Sequence, residues 1–517
     1  MTRNGWSFGL VVPLLATAGA RGDEVVIPPE VRAAESARIA LIERIAPAVV
    51  CMLDENKKGG GAGILIDPAG YGLSNFHVVA RSMETRRGFG GLADGTAYPM
   101  EILGVDVTGD VAMFKLTGSE RFDAVSLGDS DRMRIGDPVL VMGDPFAVAW
   151  DYTASVSRGI VSGVHRYQKG AGDRLVYTDC IQVDAAVNPG NSGGGLFNHA
   201  GKLVGIIGRA SFAERGRVSV GLGYAISANQ IRRFIPGLRA GLHTFHGTLD
   251  ATVTDAPEGV IFNAMHTDSI AAEMGIELGD TLLRFDGYEI RSANQFASLL
   301  GTYPDGWPVS VDYRRGDQER SVELRLSRLP VTLDAPIPVD REQNLAEVRR
   351  TLERFKAAVG GAERIADVVS IGWTGVREHL EQSQRVTMSQ PVRLELEKVS
   401  PASPVHPLAW NLTDHPEPED EPSWTVVGAD AHEGEIVQVL EHRQPDGGRI
   451  YFAFDETCLL RRVQVAFEEG EIARVYTYDG YQDVDGLRLP RRMGAAHDVD
   501  RQFHVDIVEQ YVLERRM

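Results

Sequence analysis

Residues Gln182 to Leu196 read Gln-Val-Asp-Ala-Ala-Val-Asn-Pro-Gly-Asn-Ser-Gly-Gly-Gly-Leu. Ser192 stands here among Gly190, Gly193 and Gly194, where the backbone can turn tightly without obstruction from Cβ atoms. Such a turn exposes the serine oxygen and aims successive N–H groups at one point. Donors fixed where a tetrahedral intermediate carries its oxyanion are worth about 3–4 kcal/mol of barrier. A serine is a weak nucleophile by itself, so a base must accompany it. His77, in Leu73-Ser74-Asn75-Phe76-His77-Val78-Val79, supplies an imidazole at the end of an apolar strand. Asp110, in Val107-Thr108-Gly109-Asp110-Val111-Ala112, supplies a carboxylate at the mouth of another. Alone, a histidine at a strand end or a Gly-x-Ser-Gly turn is ordinary structure. All three in the order His, Asp, Ser describe acyl transfer by an activated alcohol.

The elements that must hold these residues are mostly short strands. Val31 to Ile45 repeats apolar residues at helical spacing, and Ala46-Pro47 ends that helix before a strand at Val49–Leu53. From there to about Ile231, short apolar runs alternate with Gly, Pro, Asn and Asp, the pattern of an all-β barrel or sandwich and, at this length, of two barrels. A second unit, about Leu242 to Leu329, carries strands near Val260–Ala264, Thr281–Phe285 and Val309–Tyr313, with helices near Ser269–Met274 and Ala293–Leu300. Pro330 to Pro338 is Pro-spaced and linker-like. Beyond it an amphipathic helix (Leu345, Val348, Leu352, Phe355) precedes alternating strands such as Arg393–Glu397, with an acidic Pro-rich loop at Pro416–Pro422.

The His77, Asp110 and Ser192 motifs resemble those of the HtrA/Deg family of trypsin-like serine proteases. So do Gly61-Ala62-Gly63-Ile64, Gly143-Asp144-Pro145-Phe146 and Ser157-Arg158-Gly159-Ile160-Val161-Ser162, which occur in the same order. The resemblance implies a multidomain, mainly β protein: a chymotrypsin-like double β-barrel over residues 30–238 and an α+β PDZ domain over 240–329. A linker over 330–340 follows, then a C-terminal domain over 341–517. It implies that Ser192 is the nucleophile, His77 the general base and then acid, and Asp110 the group that orients His77. Gly190, Asn191 and Ser192 would form the oxyanion hole. Val187 and Leu222, with Gly223 and Tyr224, would line the specificity pocket. Neither wall is charged, and Ala186 stands six residues before the serine where a trypsin-type enzyme has an acid. Cleavage after small or medium aliphatic residues is the expectation, with no cofactor or metal. Gly195, where family members often have Pro or Ala, and Phe76 before the histidine depart from the pattern without removing a catalytic atom.

The run Asp268 to Leu283 looks like the helix–turn–strand core of a PDZ domain, which adds an extended peptide to a sheet edge and captures its carboxylate with loop N–H groups. The corresponding loop, Gly247-Thr248-Leu249-Asp250-Ala251, places an acid where a carboxylate would sit. From about Ala357 the chain resembles LolA-like periplasmic domains, curved antiparallel sheets with an apolar concave face. The residues that carry this are Gly360-Gly361-Ala362, Phe454-Asp455-Glu456-Thr457-Cys458-Leu459-Leu460-Arg461 and Tyr478 to Pro490. Such a face could hold an acyl chain, a lipoprotein or a client segment. Family resemblance also implies a homo-oligomer, a trimer, acting on unfolded or misfolded protein, and HtrA-type loops can rest inactive, so a protease-like chaperone with low turnover is the alternative.

Composition bounds the rest. The 517 residues include 53 Lys+Arg against 72 Asp+Glu, a formal charge of −19, which argues against nucleic acid or a basic membrane patch because both require clustered cations. Hydrophobic residues at 43% are ordinary for a globular chain. Cys51, Cys180 and Cys458 are too few for a disulfide scaffold and lack the spacing of a structural zinc site. Arg3, the apolar run Phe8–Leu15 and the small residues Ala18-Gly19-Ala20 read as a signal peptide over 1–20, implying a periplasmic or secreted protein.

Overall fold

The computed structural model describes residues 28–144, 151–169, 176–212, 219–330, 337, 339–366, 368–379, 384–395, 406, 424–444, 447–466, 472–497 and 502–515. Residues 1–20, expected to be a signal peptide, Pro145-Phe146 and the segment Pro416–Pro422, expected to be a loop, lie outside them. The chain divides into two units, Met1–Arg44 and Ile45–Met517. The described part of the first, residues 28–44, lies almost wholly in helix α1 (Pro29–Ile45).

The second unit opens with six antiparallel strands: β1 (Val49–Leu53), β2 (Gly59–Leu65), β3 (Tyr71–Ser74), β4 (Arg87–Gly91), β5 (Ala97–Asp106) and β6 (Val111–Leu116). Their order β5-β4-β1-β2-β3-β6 closes on itself because β5 also pairs with β6. A one-turn helix α2 (Phe76–Val79) follows β3. The next six strands, β7 (Pro138–Gly143), β8 (Ser155–Lys169), β9 (Val176–Val183), β10 (Gly195–Phe197), β11 (Leu203–Phe212) and β12 (Ser219–Ser227), form a second closed barrel. Two closed six-stranded antiparallel barrels in tandem are a chymotrypsin-like double barrel. Closure suits the sequence, since a barrel leaves no unpaired edge and buries the inward half of each alternating strand. In the second barrel Val139, Val141, Val161, Ile181, Val183, Leu196, Val204 and Ile207 fill that interior.

Helix α3 (Ala228–Arg239), capped by the Ser227 hydroxyl on Gln230 N–H, turns Ile231, Phe234 and Leu238 inward. A five-strand path from Ala251–Ala256 to Gln318–Arg325 comes next, with Ala251–Ala256 at its edge. Helices α4 (Ile270–Glu273) and α5 (Ala293–Leu300) lie where the sequence pattern places them. Asp286 and Gly287, both at positive φ, make the hairpin turn between strands Thr281–Phe285 and Tyr288–Glu289. Helix α6 (Arg341–Ala358) buries Val348, Leu352 and Phe355 against a nine-stranded antiparallel sheet. That sheet pairs its last strand, Gln502–Arg515, with Val368–His379, and Trp373 donates to Asp506 from within its core.

Candidate active site

Each predicted residue sits at a break in a strand. β3 ends at Ser74, and Asn75 in extended conformation starts α2, so His77 lies on a one-turn helix rather than on the strand itself. Asp110 follows the turn after β5 and takes φ +58°, a left-handed conformation that, after glycine, Asp and Asn adopt most readily. Asp106, wholly buried, fixes that turn by accepting the Gly109 N–H at 2.8 Å. Its other oxygen meets His246 Nε2 at 2.8 Å.

Around Asp110 the bonding is dense. His77 Nδ1 lies 2.7 Å from Asp110 Oδ2, and the His77 backbone N–H donates to Oδ1 at 2.9 Å. Asn75 Nδ2 donates to the Asp110 carbonyl at 2.9 Å, and the Tyr177 hydroxyl donates to Oδ2. Asp110 is wholly buried, whereas the His77 side chain is 40% exposed and open to a substrate. Burial disfavours a charge on His77, but the hydrogen bond and negative charge of Asp110 outweigh it and raise the imidazole above its ordinary pKa.

Backbone contacts hold the serine turn. Gly190 has φ +101° and Gly193 φ +82°. A Cβ on Gly193 would lie 2.0 Å from the Ala62 carbonyl oxygen and 2.4 Å from Ser74 Oγ, so the loop needs glycine there. Ser192 carbonyl accepts the Ala62 N–H at 2.8 Å, and Gly193 N–H donates to Ile207 at 2.8 Å. A Cβ on Gly61 would meet both Val78 and the Ser192 carbonyl, so the helix carrying His77 and the loop carrying Ser192 converge over that glycine. Ser192 is half-buried, and among the described residues its hydroxyl forms no hydrogen bond with His77. Of the three predicted oxyanion donors, Asn191 spends its N–H on Asn188 at 3.0 Å. Gly190 and Ser192 keep theirs without an acceptor among the described residues.

Val187 and Gly223 meet: a Cβ on Gly223 would touch Val187 Cγ2 at 2.6 Å. Val187 is nearly buried and packs with the second barrel's interior, and Tyr224 is also buried, while Leu222 stays 36% exposed. Ala186 is exposed and uncharged; the nearby Asp184 has its Oδ1 on the Ile160 N–H at 2.7 Å. All three cysteines are buried and none forms a disulfide among the described residues, and burial, with Asp144 beside it, pushes the Cys51 thiol well up. His432 and Asp479 of the nine-stranded sheet, with Glu433 in the hairpin turn after His432, bring three ligand-type atoms within 4.8 Å of one another. Arg461 already stands 3.3 Å from Asp479 there.

Comparison with known proteins decides the class: residues 61–206 match the family described as trypsin-like peptidase domain. Residues 61–206 thus resemble a trypsin-like peptidase domain. The periplasmic serine endoprotease DegP of Salmonella typhimurium is 31% identical over 281 residues, 52% of this chain and 57% of that protein. A probable periplasmic DegP-like endoprotease of Halomonas elongata is also 31% identical, over 53% of this chain and 58% of its own. The chain thus spans a little over half the length of these relatives. Among solved structures, the HtrA-type protease AlgW with a tripeptide matches 57% of the chain at 29% identity, with a TM-score of 0.48. The match to the trypsin-like domain takes in His77, Asp110 and Ser192, the residues that the sequence singles out. Tyr177 and Asn75, which also touch Asp110, went unmarked. Neither carries a role legible in the sequence, because the partner of a polar side chain is set only when tertiary packing aims it.

Proposed function

We propose that the protein is an exported serine endopeptidase of HtrA/Deg type that hydrolyses unfolded or misfolded proteins without ATP. The observation that carries this reading is the His77–Asp110 pair set beside a glycine turn whose Gly190 and Ser192 N–H groups have no acceptor among the described residues. His77, neutral, takes the Ser192 proton as the oxygen attacks the scissile carbonyl. Asp110 steadies the resulting imidazolium, and the two N–H groups receive the oxyanion. His77 then returns the proton to the leaving amine, and water repeats the sequence to release the acyl group. The relatives' names as periplasmic enzymes, with the signal-like N-terminus, support a periplasmic location.

A second reading follows from Ser192 and His77 not being hydrogen-bonded: a resting form with low turnover that binds clients until a substrate aligns the two. Hydrogen bonds of this kind commonly tighten only in the substrate complex. The sheet edge at Ala251–Ala256, beside α5, suits an added peptide strand of PDZ type, although Asp250 opposes capture of a free carboxylate. In the C-terminal domain, α6 and buried Trp373, Phe452, Phe454, Tyr476 and Tyr478 fill the apolar core, which favours a filled sheet face over a cradle for an acyl chain. Trimeric assembly rests on the family resemblance.

Digestion of casein by the full chain, with products sequenced by mass spectrometry, tests the reading. Cleavage should fall after Ala, Val and similar aliphatic residues, because uncharged Val187 and Leu222 line the predicted pocket. Predominant cleavage after Lys or Arg would overturn the pocket assignment.

A further inference from the structure

We propose that Tyr177 is a positioning residue for the catalytic pair, holding Asp110 against His77 from the second barrel. The inference rests on the proteolytic reading above. Among the described residues, the other side-chain and backbone donors to Asp110, from Asn75 and His77, come from the end of β3 and α2 in the first barrel. Tyr177 lies on β9 and is nearly buried, so its hydroxyl reaches Asp110 Oδ2 across the seam between barrels. Oδ2 therefore accepts from two donors, the tyrosine O–H and the imidazole Nδ1–H, while Oδ1 accepts the His77 backbone. A hydroxyl donating to a carboxylate makes a strong, charge-assisted bond, and this one fixes the rotation of the Asp110 side chain.

The ring of Tyr177 is itself located. It lies over Gly208 on β11, where a Cβ would come within 2.6 Å of its Cε1 and 3.1 Å of its hydroxyl oxygen. Gly208 follows Ile207, whose carbonyl accepts the Gly193 N–H and whose N–H donates to Gly194. One stretch of β11 thus seats both the tyrosine that orients the acid and the loop that carries the nucleophile. Tyr177 ties the acid's position to the serine's. Being buried, it contributes to turnover without touching substrate.

The electronic consequence has a sign. The tyrosine O–H draws on the same oxygen that supports His77, so it moderates the carboxylate's pull on the imidazole. Asp110 is the ionisable group acting on His77 among the described residues, and Tyr177 is the one facing Asp110 Oδ2. Removing the hydroxyl loosens Asp110 and lets it favour the imidazolium more strongly.

The test is Tyr177→Phe in the full chain, assayed on casein across pH and normalised to the fraction of enzyme that a fluorophosphonate labels. Loss of a charge-assisted hydrogen bond predicts kcat down about ten-fold with KM unchanged. The acid limb of kcat/KM moves to higher pH. Incorporating 3-fluorotyrosine at position 177 keeps ring and hydroxyl but strengthens the donor, and moves the limb to lower pH. A merely structural role lowers the amount of active enzyme and leaves both the limb and kcat per active site in place, which would overturn the proposal. An unlabelled wild-type chain would instead remove the proteolytic reading beneath it.

Discussion

Replacing Ser192 by Ala is expected to lower peptide hydrolysis by at least about 10⁴-fold, because the oxygen that forms the acyl bond is gone while the oxyanion donors remain. The fold should not notice. Ser192 is half-buried, its hydroxyl has no hydrogen bond to His77, and the loop is held by its carbonyl on Ala62 and by Gly193 on Ile207. The check pairs casein hydrolysis with thermal unfolding: activity falls to background and the unfolding temperature stays where it was. Wild-type-like hydrolysis by this variant would mean that another residue attacks the substrate.

Asp110→Asn carries the next largest effect, about 10⁴-fold in kcat, because a carboxamide can hold the imidazole in the wrong tautomer. Asn accepts the left-handed conformation that Asp110 adopts at φ +58°, so the backbone turn survives. The pH profile gives the finer signature. The general base must be neutral, and Asp110 raises the His77 pKa, so wild-type activity falls as pH drops through a value above the ordinary 6.5 or so. In Asp110→Asn the residual acid limb should move down toward that ordinary value. Stability runs the opposite way. The folded protein holds the His77 proton more tightly than the unfolded chain does, so the pair's stabilisation is complete below about pH 6.5 and is lost as pH rises through the folded-state value. A variant whose limb stays at the wild-type pH would show that Asp110 does not set the histidine's affinity for protons.

The sequence was most legible where chain punctuation and chemistry coincide. His77, Asp110 and Ser192 each interrupt an apolar run, so their types and their setting could be read together. Helix α6 carried a clear 3.6-residue pattern, and α5 occupies the expected residues. What was hidden depends on partners distant in the chain. Tyr177 reaches Asp110 only because one barrel packs against the other. His246, in a stretch that reads as the start of a new domain, bonds instead to Asp106 of the first barrel and to the Gly301 carbonyl after α5. Val187, expected to wall a pocket, shares its side chain with the barrel interior, an arrangement periodicity cannot distinguish from exposure at a strand end. The order of the nine-stranded sheet was equally invisible, since joining Gln502–Arg515 to Val368–His379 is a matter of topology, not local pattern.

The most direct test of the central claim is the intact mass of the protein after reaction with a fluorophosphonate, followed by peptide mapping. The convergence of His77 and Asp110 on an activated Ser192 predicts one adduct per chain, located on the peptide containing Ser192 and absent from Ser192→Ala and His77→Ala. An adduct that persists in either variant, or a wild-type chain left unmodified even with casein present, would contradict it.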